Sequence, residues 1–318
     1  MAKYTPQTKD ELRELITNLN INLGDIDTSA IADMSWLFAP ETDDEGNYTI
    51  HTKRTDFSGI ETWDTSNVTL MNHMFYMVEH FNDDISRWNV SKVTNMEFMF
   101  WGAKSFNQSL NSWNVSSVTT MRFMFENAKA FNQPLDKWDT SNVEAMSEMF
   151  ANAENFNQPL NSWNVSKVQS MNGMFSGAEK FNQPLDKWDT SSVVGMGGMF
   201  NEAISFNQPL DKWDTSKVTG MNNMFRNAEN FNQSLNSWDT SKLESVDRMF
   251  ENAKAFNQPL DKWDISSVIF MQDMFLNAKS FNQNLDSWDT ASVKIITHSV
   301  FKGSPLESNP PKWYKKHI

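Results

Sequence analysis

Cysteine is absent from the 318-residue chain. Without thiols the protein can form no disulfide, no thiolate metal site and no cysteine-linked lipid anchor. The sequence also lacks any run of 18 apolar residues, and its first residues, MAKYTPQTKDELRELI, lack the apolar stretch of a signal peptide. We therefore expect no disulfide framework and no insertion into a membrane.

Basic residues are scarce: 27 Lys and Arg stand against 40 Asp and Glu, which leaves a formal charge of −13. Affinity for a phosphate backbone needs clustered basic side chains, so we expect no nucleic-acid partner. No G-x-S-x-G, P-loop or H-E-x-x-H motif is present, and the carboxylates follow the repeat described next. The five histidines are dispersed: His51, His73, His80, His298 and His317. We therefore expect no enzymatic activity, no metal site and no cofactor.

Tryptophan is abundant and regular, because eleven of the 13 tryptophans, from Trp63 to Trp313, fall at intervals of 25 residues. The full unit reads F-N-Q-P-L-D-K-W-D-T-S-x-V-x-x-M-x-x-M-F-x-x-A-x-x and is clearest from Phe131 onward. A fixed period between about 20 and 50 residues is typical of a solenoid. The 24 Phe and 20 Met provide ample material for its core.

The second half of each unit spaces its apolar residues as Val143, Met146, Met149, Phe150 and Ala153 do, which is helical spacing. The first half is short and contains proline in several units, which indicates a short strand. We therefore predict an α/β repeat solenoid, leucine-rich-repeat-like, with one short parallel strand and one helix per 25-residue unit. The alternative is a β-helix with three strands per rung.

The chain divides into three parts. An amphipathic helix over Thr8–Leu19, with Thr8 and Glu11 as a capping box, predicts an N-terminal capping segment at 1–22. The repeat solenoid follows at 23–293, interrupted by an inserted loop at about 39–56, because Ile31 and its equivalent Val68 are 37 residues apart. Residues 294–318 read as a degenerate C-terminal capping unit.

Three further columns recur from unit to unit. The Asn-Gln pair predicts an amide ladder between rungs. Aspartates such as Asp139 predict local turns on their own backbone, with a calcium-binding row as the alternative. The tryptophans should turn inward, since a row of exposed indoles would be a costly apolar stripe. The alternative is a row of exposed rings that stack on sugars.

The recurring W-D-T-S-x-V-x-x-M-x-x-M-F resembles the BspA-like, mycoplasma-type leucine-rich repeat surface proteins, over roughly Leu23–Val300. The resemblance implies a curved solenoid with parallel strands inside and helices outside. It also implies a bacterial cell-surface or secreted protein that acts in adhesion, although this chain shows neither a signal peptide nor a lipid-anchor cysteine. We expect a monomeric, non-enzymatic binding module for a protein such as a host or extracellular-matrix protein. The alternatives are a purely structural spacer array and a repeat-lattice lectin or calcium-binding protein.

Four aromatic residues stand out on the exposed positions of the predicted helices. Tyr76 and Trp101 share the position directly after the M-F pair, and Phe98 and Phe123 share the position three residues earlier. Positions three apart lie on one helix face, so we expect one contiguous outer patch. The patch is a partner-binding site, a surface that the inserted loop covers through Tyr48 and Ile50, or an exposed surface without a role.

Overall fold

The computed structural model describes residues 2–42, 48–49 and 53–316. Within these residues one α-helix is present, α1, at Lys9–Thr17. Its N-terminal cap is as predicted: the Thr8 hydroxyl oxygen accepts a hydrogen bond from the Glu11 N–H at 3.2 Å. Leu12 and Ile16 are buried against the first rung. The prediction of an amphipathic N-terminal helix is confirmed.

The strands are short and few in the described residues. β1 (Glu41–Thr42) pairs antiparallel with β2 (Tyr48–Thr49), and β3 (Phe270–Met271) pairs parallel with β4 (Ile295–Ile296). Single 3-10 turns complete the regular elements, at Leu23–Asp25, Ile60–Thr62, Pro305–Glu307 and Tyr314–Lys316.

A parallel ladder joins each rung to the next. One parallel bridge per unit runs from Asp33–Leu70 and Leu70–Asn95 onward to Ser245–Phe270, where β3 and β4 continue it. Alternate N–H groups within a rung donate to carbonyls of the following rung, as Phe98 does to Arg122 at 3.0 Å. Because every rung repeats these bonds, the protein is a repeat solenoid.

The prediction of one helix per unit is wrong. The V-x-x-M-x-x-M-F-x-x-A segment is a series of turns, in which Met149 N–H donates to Met146 O and Ala153 N–H donates to Phe150 O. Glu148 and Asn152 have a φ of 54°, a left-handed conformation that no right-handed helix contains. Successive turns bring every third or fourth residue inward, so their apolar spacing imitates that of a helix.

The predicted strand is also misplaced. Parallel pairing occurs in the second half of each unit, at Ala145 for example, and not just after Pro134 in the first half. A β-helix with three strands per rung does not describe the molecule either, since each unit contributes a single parallel bridge to the described ladder.

The core consists of side-chain columns that run through the rungs. Phe125 stacks on Phe150 with ring centroids 5.6 Å apart, and Phe131 stacks on Phe156 at 5.9 Å. The methionines between them, such as Met146, are fully buried. Every rung therefore buries the same apolar surface against its neighbours, as a solenoid requires.

Arg54, at the end of the insertion, ties that segment to α1. Its guanidinium donates to the carbonyl oxygens of Ile16, Asn18 and Ile21 at 2.9–3.0 Å. These carbonyls lie at and beyond the C-terminal end of α1, where backbone acceptors lack partners within the helix. Arg54 thus fixes where the chain re-enters the solenoid.

Candidate functional site

Six aromatic side chains of the early rungs form one connected cluster, which we call the aromatic cluster. Its members are Trp36, His73, Tyr76, Phe98, Trp101 and Phe123. They form two parallel stacks.

The first stack runs along the position directly before the M-F pair. Ring centroids are 3.7 Å apart from Trp36 to His73, 4.5 Å from His73 to Phe98 and 4.4 Å from Phe98 to Phe123. The second stack joins Tyr76 to Trp101 at 4.7 Å. Tyr76 also packs edge-on against Phe98 at 6.2 Å, which connects the two stacks.

The backbone beneath the first stack is strained. Trp36, His73, Phe98 and Phe123 have φ values of 57–59°, in the left-handed region. This conformation costs roughly 1–2 kcal/mol for a residue with a side chain. Later rungs place glycine at this position, at residues 173 and 198. The solenoid therefore does not need aromatic residues here, and stacking of about 0.5–1.5 kcal/mol per pair only offsets the strain.

The cluster is partly open to solvent. The Trp36 side chain is 38% exposed, His73, Phe98, Trp101 and Phe123 are half-buried, and Tyr76 is buried. His73 and Phe98 each have a ring on both faces, so solvent reaches mainly their edges.

The structure brings together all four residues that the sequence singled out. The expected contiguity of Tyr76, Phe98, Trp101 and Phe123 is confirmed, although turns and not helices place them side by side. Sequence reasoning missed Trp36 and His73. Both occupy the Phe98 position in earlier units, so aligning those units across the insertion would have found them. The prediction that Tyr48 and Ile50 cover the patch involves the Tyr48 side chain and residue Ile50, and both lie outside the described part of the chain.

Both stacks end on a glutamate in the next rung. Glu126 follows Trp101 in the second stack, and Glu148 follows Phe123 in the first. Burial, helped by the nearby charge of Glu148, raises the pKa of Glu126 to about 7, and hydrogen bonds from the side chains of Trp101 and Asn127 oppose this rise. Burial also raises the pKa of the Glu148 carboxyl, opposed by the charge of Arg122.

Two other groups define the electrostatics of the cluster. Burial lowers the pKa of His73 to about 4, so its ring is neutral at neutral pH and stacks as an uncharged aromatic. The Arg122 guanidinium lies 5.5 Å from the centroid of the Phe123 ring, within the range of a cation–π contact.

In the late rungs, the same two template positions carry ion pairs. Arg226 Nε lies 3.0 Å from Glu251 Oε2, and Arg248 Nε lies 3.5 Å from Asp273 Oδ2. The middle rungs carry small side chains at these positions, such as Gly173, Ala151, Ser176 and Gly198. Along the solenoid, the side chains at these two positions thus change from aromatic rings to small side chains and then to ion pairs.

The predicted amide ladder is confirmed. The Asn107 side-chain oxygen accepts from the Asn132 N–H at 2.9 Å and from Gln133 Nε2 at 3.2 Å, and later units repeat this bonding. Each Asn-Gln pair therefore joins two rungs. Its hydrogen bonds satisfy polar groups that packing of the rungs would otherwise leave without partners.

The aspartate column forms the predicted local turns. Asp139 Oδ1 accepts from the Ser141 N–H at 3.1 Å, and hydrogen bonds from the Ser141 side chain and backbone hold the pKa of Asp139 below its ordinary value. Asn164 makes the same turn with Ser166 at 3.0 Å. An amide thus replaces the carboxylate without loss of the bond. Among the described residues, no group of three or more His, Asp or Glu is placed to hold a metal ion.

The tryptophan column turns inward, as predicted. From Trp63 to Trp288 these side chains are only 3–4% exposed, and the Trp138 indole N–H donates to the Leu110 carbonyl of the preceding unit at 2.9 Å. The alternative of an exposed tryptophan row that stacks on sugars is therefore wrong. No helix in the described part of the chain is long and apolar enough to span a bilayer.

Comparison with known proteins identifies a family. No curated protein matches the chain. Among solved structures, an internalin from Listeria monocytogenes aligns at 8% identity over 62% of this chain and 69% of its own, with a TM-score of 0.21. A score this low supports no conclusion. The family described as "Mycoplasma protein of unknown function, DUF285" matches residues 45–158, 133–229 and 206–313, in agreement with the mycoplasma-type resemblance. Because these matches together span most of the solenoid, the chain belongs to this family.

Proposed function

We propose that the protein is a non-enzymatic binding module that holds a protein partner at the aromatic cluster. The observation that carries the proposal is the placement of large aromatic rings on the left-handed position of four successive rungs, where later rungs have glycine twice and otherwise a polar side chain. The left-handed backbone recurs at this position along the solenoid, so the fold requires the conformation but does not require the rings on it. Exposed aromatic side chains are also the residues that most often anchor protein interfaces.

The setting that we propose is a bacterial surface, with adhesion as the biological role. Membership of a mycoplasma repeat family supports this setting. The repetitive, acidic body supports a soluble carrier, and the cluster is one part of its surface that departs from the repeat. A host or extracellular-matrix protein is the partner class that fits this role.

The proposal is tested by removing the rings without altering the solenoid. Trp101→Ser combined with Phe123→Ser deletes one ring from each stack. The matched control is Asn201→Ser combined with Asn223→Ser, which changes the same two template positions on other rungs. The three proteins are immobilised, and host-matrix and bacterial extracts are passed over each.

A protein retained by the wild type and the control, and lost from the ring-deleted variant, supports the proposal. Equal retention by all three proteins contradicts it. A fall of many degrees in the melting temperature of the ring-deleted variant alone also contradicts it, because the rings would then be structural. In that outcome a spacer array becomes the better description.

A further inference from the structure

We infer that the partner segment places Lys or Arg side chains on Glu126 and Glu148 while its apolar side chains cover the ring edges of the aromatic cluster. This inference rests on the proposed function and specifies the chemistry of the partner. The two glutamates are part of the same surface as the rings. Glu126 continues the Tyr76–Trp101 stack, and Glu148 continues the stack that ends at Phe123.

Neither glutamate forms an ion pair with a described residue, although the charge of Arg122 acts on Glu148 from a longer distance. Within the described residues, no Lys, Arg or His nitrogen lies within 4 Å of either carboxylate. The hydrogen bonds that Glu126 accepts come from neutral groups: Asn127 Nδ2 donates to its Oε1 at 3.3 Å, and the Trp101 side chain also donates to the carboxylate. The Glu148 side chain lies over Gly173, where an added Cβ would be 2.7 Å from its Cγ.

The late rungs show that the scaffold can supply such a partner. At the equivalent positions Glu251 is paired with Arg226, and Asp273 is paired with Arg248. Half-buried carboxylates without a cation are costly. A cation from a partner would remove that cost at Glu126 and Glu148, whereas in the late rungs no such group is required.

The charges that face the two carboxylates agree with this reading. Glu148 faces Glu126 and disfavours its ionised form, and Arg122 faces Glu148 from the preceding rung. Burial raises the pKa of both glutamates. A cationic group at this place would lower the pKa of each, so binding of a basic segment should strengthen as pH rises through about 7.

The shape of the surface favours an extended segment over a small cation. The rings stack on one another at 3.7–4.7 Å, so no gap between ring faces can hold a quaternary ammonium group. From Trp36 to Glu148 the surface crosses four rung steps, or roughly 20 Å at strand spacing. An extended segment of about six residues covers that length.

The test uses a labelled peptide in which two Lys and two Leu are separated by Ser, and a matched peptide with Glu in place of Lys. Fluorescence anisotropy measures binding to the wild type, to Glu126→Gln with Glu148→Gln, and to Trp101→Ser with Phe123→Ser. The control is Glu179→Gln with Glu244→Gln, which removes the same charge from two exposed sites outside the cluster.

We expect the basic peptide to bind the wild type and the control at pH 8, and to bind the Glu126→Gln, Glu148→Gln variant about tenfold more weakly. Its affinity for the wild type should rise from pH 6 to pH 8, and this rise should be absent from that variant. The acidic peptide should bind none of the proteins, and tetramethylammonium should not compete.

The inference is wrong if the basic peptide fails to bind the wild type, binds all variants equally, or binds no better than the acidic peptide. The inference is also wrong if tetramethylammonium displaces the peptide when its concentration equals that of the peptide's Lys side chains, because the site would then bind a small cation. A natural partner lost from the ring-deleted variant but kept by the Glu126→Gln, Glu148→Gln variant leaves the proposed function intact and contradicts the inference alone. Retention by both variants contradicts the proposed function itself.

Discussion

The early and late rungs use the two template positions around the M-F pair in opposite ways. From Trp36 to Phe123 these positions carry stacked rings, and from Arg226 to Asp273 they carry ion pairs. The backbone beneath is the same, because φ is 57° at Phe98 and 53° at Arg248. The core beneath is also the same, with fully buried Met and Phe in both regions.

This comparison separates what the solenoid needs from what its surface adds. Inward positions are fixed by packing against neighbouring rungs, so they repeat. The two outer positions are free to vary, and the late rungs use them for contacts that the chain completes by itself. In the early rungs Glu126 and Glu148 form no ion pair with a described residue, unlike Glu251 and Asp273, and for this reason we propose that a partner binds there.

The largest expected effect comes from breaking the late network. Arg226→Ala with Arg248→Ala leaves Glu251 and Asp273, whose side chains are only 12% and 16% exposed, without their cations. We expect the free energy of unfolding to fall by about 2 kcal/mol. Chemical denaturation measures this. Lys104→Ala is the control, because its pair with Glu79 is half exposed and should contribute under about 0.5 kcal/mol. Equal losses would show that the late pairs are ordinary surface contacts.

A smaller effect is expected from moving a ring to a rung that lacks one. Gly198 has a φ of 63°, and no heavy atom lies within 4 Å of an added Cβ. Gly198→Phe therefore meets no clash but has no ring to stack on, so it should destabilise by about 1–2 kcal/mol. Phe98→Gly loses stacking and relieves strain, so its net change should stay within about 1 kcal/mol. A loss above about 3 kcal/mol for Phe98→Gly would mean that the fold depends on the rings.

The smallest expected effects are two pH-dependent contributions to the free energy of unfolding, and they change with pH in opposite directions. The folded-state pKa of Glu126, about 7, is above its ordinary value, so this group's contribution to stability is highest in acid and declines from about pH 4.5 to 7. The folded-state pKa of His73, about 4, is below its ordinary value, so its contribution is present above pH 6.5 and is lost as pH falls to 4. Both side chains are only about half buried, so we expect about 1 kcal/mol from each.

Two variants separate these contributions. Glu126→Gln should remove the decline between pH 4.5 and 7, and His73→Phe should remove the loss between pH 6.5 and 4. Thermal unfolding at a series of pH values measures both. Unchanged pH profiles would show that neither group is desolvated in the folded protein.

The stacking of equivalent side chains into columns was predictable from the sequence, whereas the local backbone conformation was not. The period of Trp63 to Trp313, the amide ladder and the turns at Asp139 all followed from repetition together with hydrogen-bond chemistry. The prediction of a helix failed because successive turns and a helix give the same spacing of apolar residues. One signal was available: the residue two after the M-F pair is Asn or Gly in most units, as at Asn127, and these residues favour left-handed backbone.

The candidate site was predictable in part. Comparing two neighbouring units was enough to find Tyr76 with Trp101, and Phe98 with Phe123. His73 was not predicted because histidine does not stand out as an aromatic residue at the position that Phe98 and Phe123 share. The role of Glu126 could not be predicted, because its position beside Trp101 and its desolvation depend on how the rungs stack.

The ladder of backbone hydrogen bonds between rungs has a mechanical consequence. Among the described residues, these bonds join each unit to its immediate neighbours, as the bond from the Phe98 N–H to the Arg122 carbonyl does. When the two ends of the chain are pulled apart, the terminal rung can detach while the others keep their contacts. Each detached unit of 25 residues releases up to roughly 85 Å of chain. We therefore expect the solenoid to lengthen in steps under tension, one unit at a time.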